Sequence, residues 1–344
     1  PNGIVLGTPG SGKSFFAKKE IANSFFATPD HILILDVENE YTALVEQLQG
    51  QVEYLAPDSQ SYLNPMDLDL STDVGESPML MQADFLLSQC ELMMASYGNP
   101  LMPIEKSLID RCISLVYRDY LKRPTPENMP ILGDLYQCLR AQDNHTADDL
   151  ATAMEIYVTG SLSYLNHRTN VDLNNRLVCY NTSKMGQGLK KLVMANVQKH
   201  IWQRTTINRY AGVTTRIFLD EFHMLLKEPQ TAAYTAEIYK RFRKWNGIPT
   251  SLTQNVKDLL ASPEIENILE NSDFILMLNQ GASDRGILAQ RLGISPQELT
   301  HVTNSGEGEG LLFFGDKIIP FVDKFPRDTQ LYRVMTTKPS DLAA

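Results

Sequence analysis

"PNGIVLGTPGSGKSFFAKKEI" occupies positions 1–21 and decides how the chain folds. Within it Gly7 to Ser14, GTPGSGKS, has the spacing G-x-x-x-x-G-K-[ST] of a phosphate loop. Ile4-Val5-Leu6 before the loop is a short apolar run that reads as a buried strand. Phe15 to Asn23 after it has helix-forming spacing and no proline. In the order strand, loop, helix, the glycines let backbone N–H groups converge on phosphates at the positive end of a helix. The candidate nucleotide-binding residues are therefore Thr8, Pro9, Gly10, Ser11, Gly12, Lys13, Ser14 and Phe15. Lys13 would reach the β/γ-phosphates of ATP, and the Ser14 hydroxyl would ligate Mg²⁺.

A phosphate loop alone serves kinases, GTPases and motors, and TRIFLDEFHML (215–225) narrows the choice. Ile217-Phe218-Leu219 reads as a buried strand with two acids at its carboxyl end, the end at which open α/β sheets bind ligands. Asp220 is the candidate metal ligand, as in a Walker B element, and Glu221 the candidate general base for an attacking water. In GIPTSLTQNVKDLL (247–260) a strand over Thr250–Thr253 ends at Gln254, whose amide is placed to sense the γ-phosphate. The plainer reading is a strand-to-helix turn capped by Asn255 or Thr253. HILILDVENEY (31–41) is another buried strand, followed by Asp36, Glu38 and Glu40. These three either orient water, metal or a neighbouring subunit, or form a solvated acidic loop.

The chain has 344 residues and a net charge of −10, which disfavours a protein that coats nucleic acid over its whole surface. Local basic patches remain, as at KRFRK (240–244). The four cysteines, Cys90, Cys112, Cys138 and Cys179, form no C-x-x-C pair, so neither structural zinc nor disulfides are expected, and the default compartment is reducing. No apolar run approaches the roughly 18–20 residues that span a bilayer. The first strand starts at residue 3, so further sequence is expected upstream.

Strand-like runs at 3–6, 32–36, 176–181, 216–220, 250–254 and 274–278 alternate with helices, predicting an α/β fold with a mainly parallel sheet. GEGLLFFGDKIIPFVDKF (308–325) reads as an antiparallel hairpin, with Pro320 marking an edge strand. Amphipathic helical patterns fill the interval between the second and third strands. The expected division is a nucleotide-binding core over 1–71 and 167–326, an inserted all-α lobe over 72–166, and a tail over 327–344. Met79, Met81, Met93 and Met94 of the lobe read as core or as an adaptable docking surface. In QTAAYTAEIYKRFRKWNG (230–247) Tyr234, Ile238, Phe242 and Trp245 form one apolar helical stripe. Arg241 and Arg243 beside it are candidates for a finger reaching a neighbouring subunit's γ-phosphate, with Arg285 and Arg291 as weaker ones; the alternative is a solvated basic face.

PNG-x-x-x-GTPGSGKSF, D-x-E-x-E-Y, LDEFH and T-Q together resemble the traffic ATPases of conjugation and type IV secretion, the TraC-type family, within the RecA-like group that includes hexameric DNA translocases. The family usually has proline after the first aspartate, where this chain has Val37. The resemblance spans nearly the whole chain and implies a RecA-like carboxyl-terminal ATPase domain with an inserted helical lobe. It also implies ATP and Mg²⁺ as cofactors, with Lys13 and Ser14 on phosphate and metal, Asp220 and Glu221 for metal and water, and Gln254 as sensor. ATP hydrolysis would energise channel or pilus assembly or substrate transfer at the cytoplasmic face of the cell membrane, reached through parts outside this chain. Implied partners are secretion-channel subunits, coupling ATPases and copies of the chain in a hexamer, the isolated fragment being able to stay monomeric. Two alternatives stay open: a ring translocase that binds DNA, and a nucleotide-dependent assembly scaffold with little turnover.

Overall fold

The computed structural model describes residues 2–70, 77–94, 100–303 and 305–337. Among the described residues nine strands form one sheet: β1 (Gly3–Leu6), β2 (His31–Asp36), β3 (Gln51–Tyr54), β4 (Leu177–Asn181), β5 (Thr215–Leu219), β6 (Gly247–Thr253), β7 (Phe274–Met277), β8 (Glu309–Phe314) and β9 (Lys317–Val322). Their order is β3-β4-β2-β5-β6-β1-β7-β8-β9. The pairs β4–β2, β2–β5, β5–β6, β6–β1 and β1–β7 are parallel, and β7–β8 and β8–β9 antiparallel. The α/β class and the parallel core of the sheet are thus as expected. So is the edge position of Pro320, where no ladder N–H is needed.

Register brings the site together. Leu35 lies level with Leu219, Leu219 with Ser251, and Leu6 with Thr253. The chain therefore leaves β1, β2, β5 and β6 at one sheet edge, carrying the phosphate loop, Asp36, Asp220 and Gln254 there.

The chain divides into two compact units. The first, Pro1–Glu53, Leu173–Ser183 and Ile207–Ala344, holds the sheet and helices α1 (Lys13–Ala27) and α2 (Thr42–Gln47). Its central cluster buries Val5, Ile21, Ile32, Ile34, Tyr41, Leu44, Phe218 and Leu252. The second, Tyr54–Asp172 and Lys184–Thr206, holds α3 (Pro78–Met94), α4 (Pro103–Val116), α5 (Arg118–Lys122), α6 (Leu132–Arg140), α7 (His145–Val158) and most of α8 (Gln187–Tyr210). Later helices of the first unit include α9 (Pro229–Phe242), α10 (Val256–Leu260), α11 (Ile265–Glu270), α12 (Ala282–Leu292), α13 (Pro296–Leu299) and α14 (Gln330–Met335).

The helical unit is larger than the expected interval 72–166. It follows an additional strand, β3, and takes in both the segment before α3 and the first five turns or so of α8. The reason is a run of backbone carbonyls that helical side chains grip. Asn196 donates to Leu63 O (2.7 Å), and Gln82 to Pro65 O (3.0 Å). Lys199 donates to Pro65 O and Asp67 O (2.8 and 2.6 Å), and Tyr120 to Leu68 O (2.7 Å). Met93 and Met94 are core, and Met79 and Met81 are half-buried.

The interval 327–344 is not wholly a tail. Its described part forms α14, and Met335 is fully buried in the central cluster. Lys18, buried on α1, donates to the Met335 carbonyl at 3.0 Å. The helix expected over 230–247 stops at Phe242, because the chain turns through Asn246 (φ 55°) into β6.

Candidate active site

The loop between β1 and α1 borders a cavity of about 620 Å³. Gly10 and Gly12 adopt φ of 77° and 97°, backbone that L side chains rarely take, and this opens the turn. Thr8, Pro9, Gly10, Gly12, Lys13, Ser14 and Phe15 line the cavity with Glu38, Glu40, Glu221 and Gln254. Ser11 is buried instead, its hydroxyl without a partner among the described residues.

Lys13 Nζ lies 3.1 Å from Asp220 Oδ1 and 3.3 Å from Glu221 Oε1, with all three side chains nearly sealed from solvent. Burial works against the lysine's charge, but the two carboxylates outweigh it and raise its pKa. Burial pushes the Asp220 carboxyl up to about 7 even with Lys13 beside it. Burial also opposes ionisation of Glu221, yet His223 and Lys13 together hold that carboxyl below the usual range. Glu221 itself has φ 45° and ψ 44°, a left-handed conformation unusual for a side-chain-bearing residue. That kink ends β5 abruptly and admits its carboxylate to the cavity.

Asp220 Oδ2 is buried and has no hydrogen-bond partner among the described residues. An orphaned carboxylate oxygen one residue beyond a strand, on a side chain paired with Lys13 of the cavity wall that Ser14 also lines, fits a divalent cation of the Mg²⁺ type. Among the described residues no ready-made cluster of three or more His, Cys, Asp or Glu side chains could hold a metal by itself, so phosphate oxygens and water would complete the shell. Proton and metal then compete for Asp220 as pH falls through about 7. Half-saturating Mg²⁺ for nucleotide binding should rise from pH 7.5 to pH 6, by up to about tenfold per pH unit. Titrating Mg²⁺ at fixed nucleotide analogue across that range measures it.

The three acids after β2 have different placements. Asp36 is fully buried, and its carboxylate accepts backbone N–H groups of Glu38 (3.3 Å), Glu40 (3.1 Å) and Tyr41 (3.0 Å). It folds the loop back so that Glu38 and Glu40 line the cavity, with Glu40 Oε2 buried and unpartnered. Gln254 lines the cavity immediately after β6, and Asn255 caps α10 by accepting from Asp258 N (3.0 Å). The capping side chain is therefore that of Asn255, and Gln254 is left on the cavity wall.

The arginines are elsewhere. Arg241 Nε lies 2.8 Å from Glu237, and Arg243 Nη2 3.4 Å from Asp273. Arg291 pairs with Glu266, while Arg285 Nε reaches the Gly281 carbonyl at 3.4 Å. None of the four lines the chain's own cavity.

Sequence reasoning missed two groups of cavity residues. One is the turn Gly306–Glu309, beside the phosphate loop, whose repeated Gly-Glu was the available signal. The other is Phe321, Phe325, Arg327 and Tyr332, brought in by the chain after β8. Phe325 and Tyr332 pack on the Phe15 ring with centroids 5.7 and 5.4 Å away.

Residues 133–304 match the family model of the TraG P-loop domain, and residues 4–154 match that of the central domain of the helicase HerA. No curated protein matches the chain. Among solved structures, VirB4 of Thermoanaerobacter pseudethanolicus is 24% identical with a TM-score of 0.83, over 99% of this chain and 90% of that one. The plasmid coupling protein TrwB in complex with a non-hydrolysable ATP analogue is 13% identical with a TM-score of 0.63, over 96% and 87%. TrwB with ADP and Mg²⁺ gives 13%, 0.61, 96% and 87%. These likenesses bear on the fold, which is RecA-like. The TraG model spans half of the chain, and the chain belongs to that family of P-loop NTPases, among the traffic ATPases of conjugation and type IV secretion.

Proposed function

We propose that the chain hydrolyses ATP and that the energy serves a type IV secretion or conjugation machine, in channel or pilus assembly or substrate transfer. The observation that carries this reading is the buried group of Lys13, Asp220 and Glu221 behind one phosphate loop, with an unpartnered Asp220 oxygen. ATP draws Lys13 from its two acids onto the β/γ-phosphates, while loop N–H groups hold the phosphate chain. Glu221, relieved of the ammonium 3.3 Å away, becomes a stronger base and takes a proton from the water that attacks the γ-phosphorus. Gln254 orients that water or reports loss of the γ-phosphate to β6. Ser14 and Asp220 would hold Mg²⁺, which would neutralise charge on the phosphate oxygens. Catalysis is then chiefly positioning and electrostatic stabilisation.

Arg241 or Arg243 of a neighbouring copy would complete the site in a hexamer, where release from Glu237 or Asp273 frees the guanidinium. Secretion-channel subunits and coupling ATPases are the further partners. The place of action is the cytoplasmic face of the membrane. Among the described residues no helix is long and apolar enough to cross a bilayer.

A second reading, a ring translocase acting on DNA, draws support from the HerA helicase match over 4–154. Turnover per chain across a protein-concentration series, with and without DNA, tests both. Turnover that climbs with concentration and ignores DNA is the expected result. Turnover that appears only with DNA favours the translocase, and none in either arm contradicts both.

A further inference from the structure

The histidine of LDEFH has no part in the chemistry above, yet it touches the residue that does. The left-handed turn at Glu221 leads into a 3₁₀ segment, Phe222–Leu226, that brings His223 back beside the carboxylate. His223 Nδ1 lies 3.2 Å from Glu221 Oε2 and 3.1 Å from Thr253 Oγ1. Glu221 is thus flanked on two sides, by Lys13 hydrogen-bonded to Oε1 and by His223, whose Nδ1 is bonded to Thr253 and lies in ion-pair contact with Oε2.

Thr253 gives the contact a direction. It is the last residue of β6, next to Gln254 in the cavity wall. Its hydroxyl oxygen accepts from Asn255 N (3.1 Å), and its carbonyl accepts from Gly7 N (3.3 Å) at the start of the phosphate loop. A bare imidazole nitrogen facing an ionised carboxylate would repel it, so these partners assign a proton to Nδ1. The imidazole then bridges the base after β5 and the strand that carries the sensing amide.

We propose that His223 is a positioning residue for hydrolysis, fixing the Glu221 carboxylate and joining it to Thr253 and so to Gln254. This rests on the ATPase reading of the site. His223→Ala should lower kcat by about tenfold or more, while KM and the affinity for a fluorescent ATP analogue stay within about twofold. His223→Asn, whose amide sets an N–H near the Nδ1 position, should recover most of that loss. His223→Gln, which sets one nearer Nε2, should not. In a Glu221→Gln background His223→Ala should cost nothing further, because the group it positions no longer acts as a base.

All variants are measured in the full chain with Mg-ATP. Unchanged kcat in His223→Ala, an equal loss in both backgrounds, or a fall in nucleotide affinity matching the fall in kcat would overturn the proposal. If the alanine variant does not fold, the Asn–Gln comparison decides: equal rates refute the assignment. Absence of wild-type turnover removes the ATPase reading itself, and this role with it. Normal wild-type turnover with unaffected His223 variants removes the role alone.

Discussion

Lys13→Ala should lower ATP affinity by at least about a hundredfold and reduce turnover to background. A lysine on phosphate oxygens makes charge-assisted hydrogen bonds of about 1.5–3 kcal/mol each, and two such bonds exceed the roughly 2.7 kcal/mol of a hundredfold change. The free protein changes too. Lys13 is the cation at 3.1 and 3.3 Å that offsets the buried Asp220 and Glu221. Without it Asp220, already raised to about 7, takes up a proton more readily, which also weakens its claim on Mg²⁺. Equilibrium binding of a fluorescent ATP analogue with and without Mg²⁺ checks both effects. Wild-type affinity in the variant would place the phosphates away from this loop.

Glu221→Gln should leave ATP bound but slow its hydrolysis by at least about a hundredfold, the low end of what a positioned general base contributes. Glutamine has the same length, and its oxygen still accepts from Lys13, so the strained turn at φ 45° gains no new clash. What it lacks is basicity. Single-turnover phosphate release on a saturated chain isolates that step from binding. Full wild-type hydrolysis in this variant would remove Glu221 as base and redirect attention to Glu40, whose Oε2 is buried in the same cavity wall without a partner.

Much of the fold was legible because its signals are local. Strand, phosphate loop and helix follow one another within residues 3–27, and β2, β4, β5 and β7 are nearly unbroken apolar runs, as strands buried on both faces must be. β3, Gln51–Tyr54, escaped because an outer strand of polar and apolar residues lacks that run. The docking of α14 was illegible for a different reason. QLYRVM is too short to announce a helix, and what holds it is tertiary: Phe15 against Tyr332, and Lys18 on the Met335 carbonyl.

The candidate site divides the same way. Asp220 and Glu221 could be named because two acids stood directly after an apolar strand. Asp36 could be noticed but not understood, since its work is to bind three N–H groups of its own loop and turn Glu38 and Glu40 inward. His223 and Thr253 are 30 residues apart, and only the register of β5 with β6 shows that they meet. The arginines were plain as basic residues in the sequence, but not their pairing: Arg241 meets Glu237 one turn away, and Arg243 meets Asp273, 30 positions on.

A crystal structure of the Glu221→Gln chain with Mg-ATP tests the central claim most directly: that nucleotide and metal meet at the phosphate loop, against Lys13 and the two acids paired with it. Expected is a triphosphate under the loop Gly7–Ser14, Lys13 Nζ moved from Asp220 onto the phosphates, and a metal held by Ser14 and the now unpartnered Asp220 Oδ2. Nucleotide bound elsewhere, or Lys13 still paired with Asp220 while ATP fills the cavity, would contradict it.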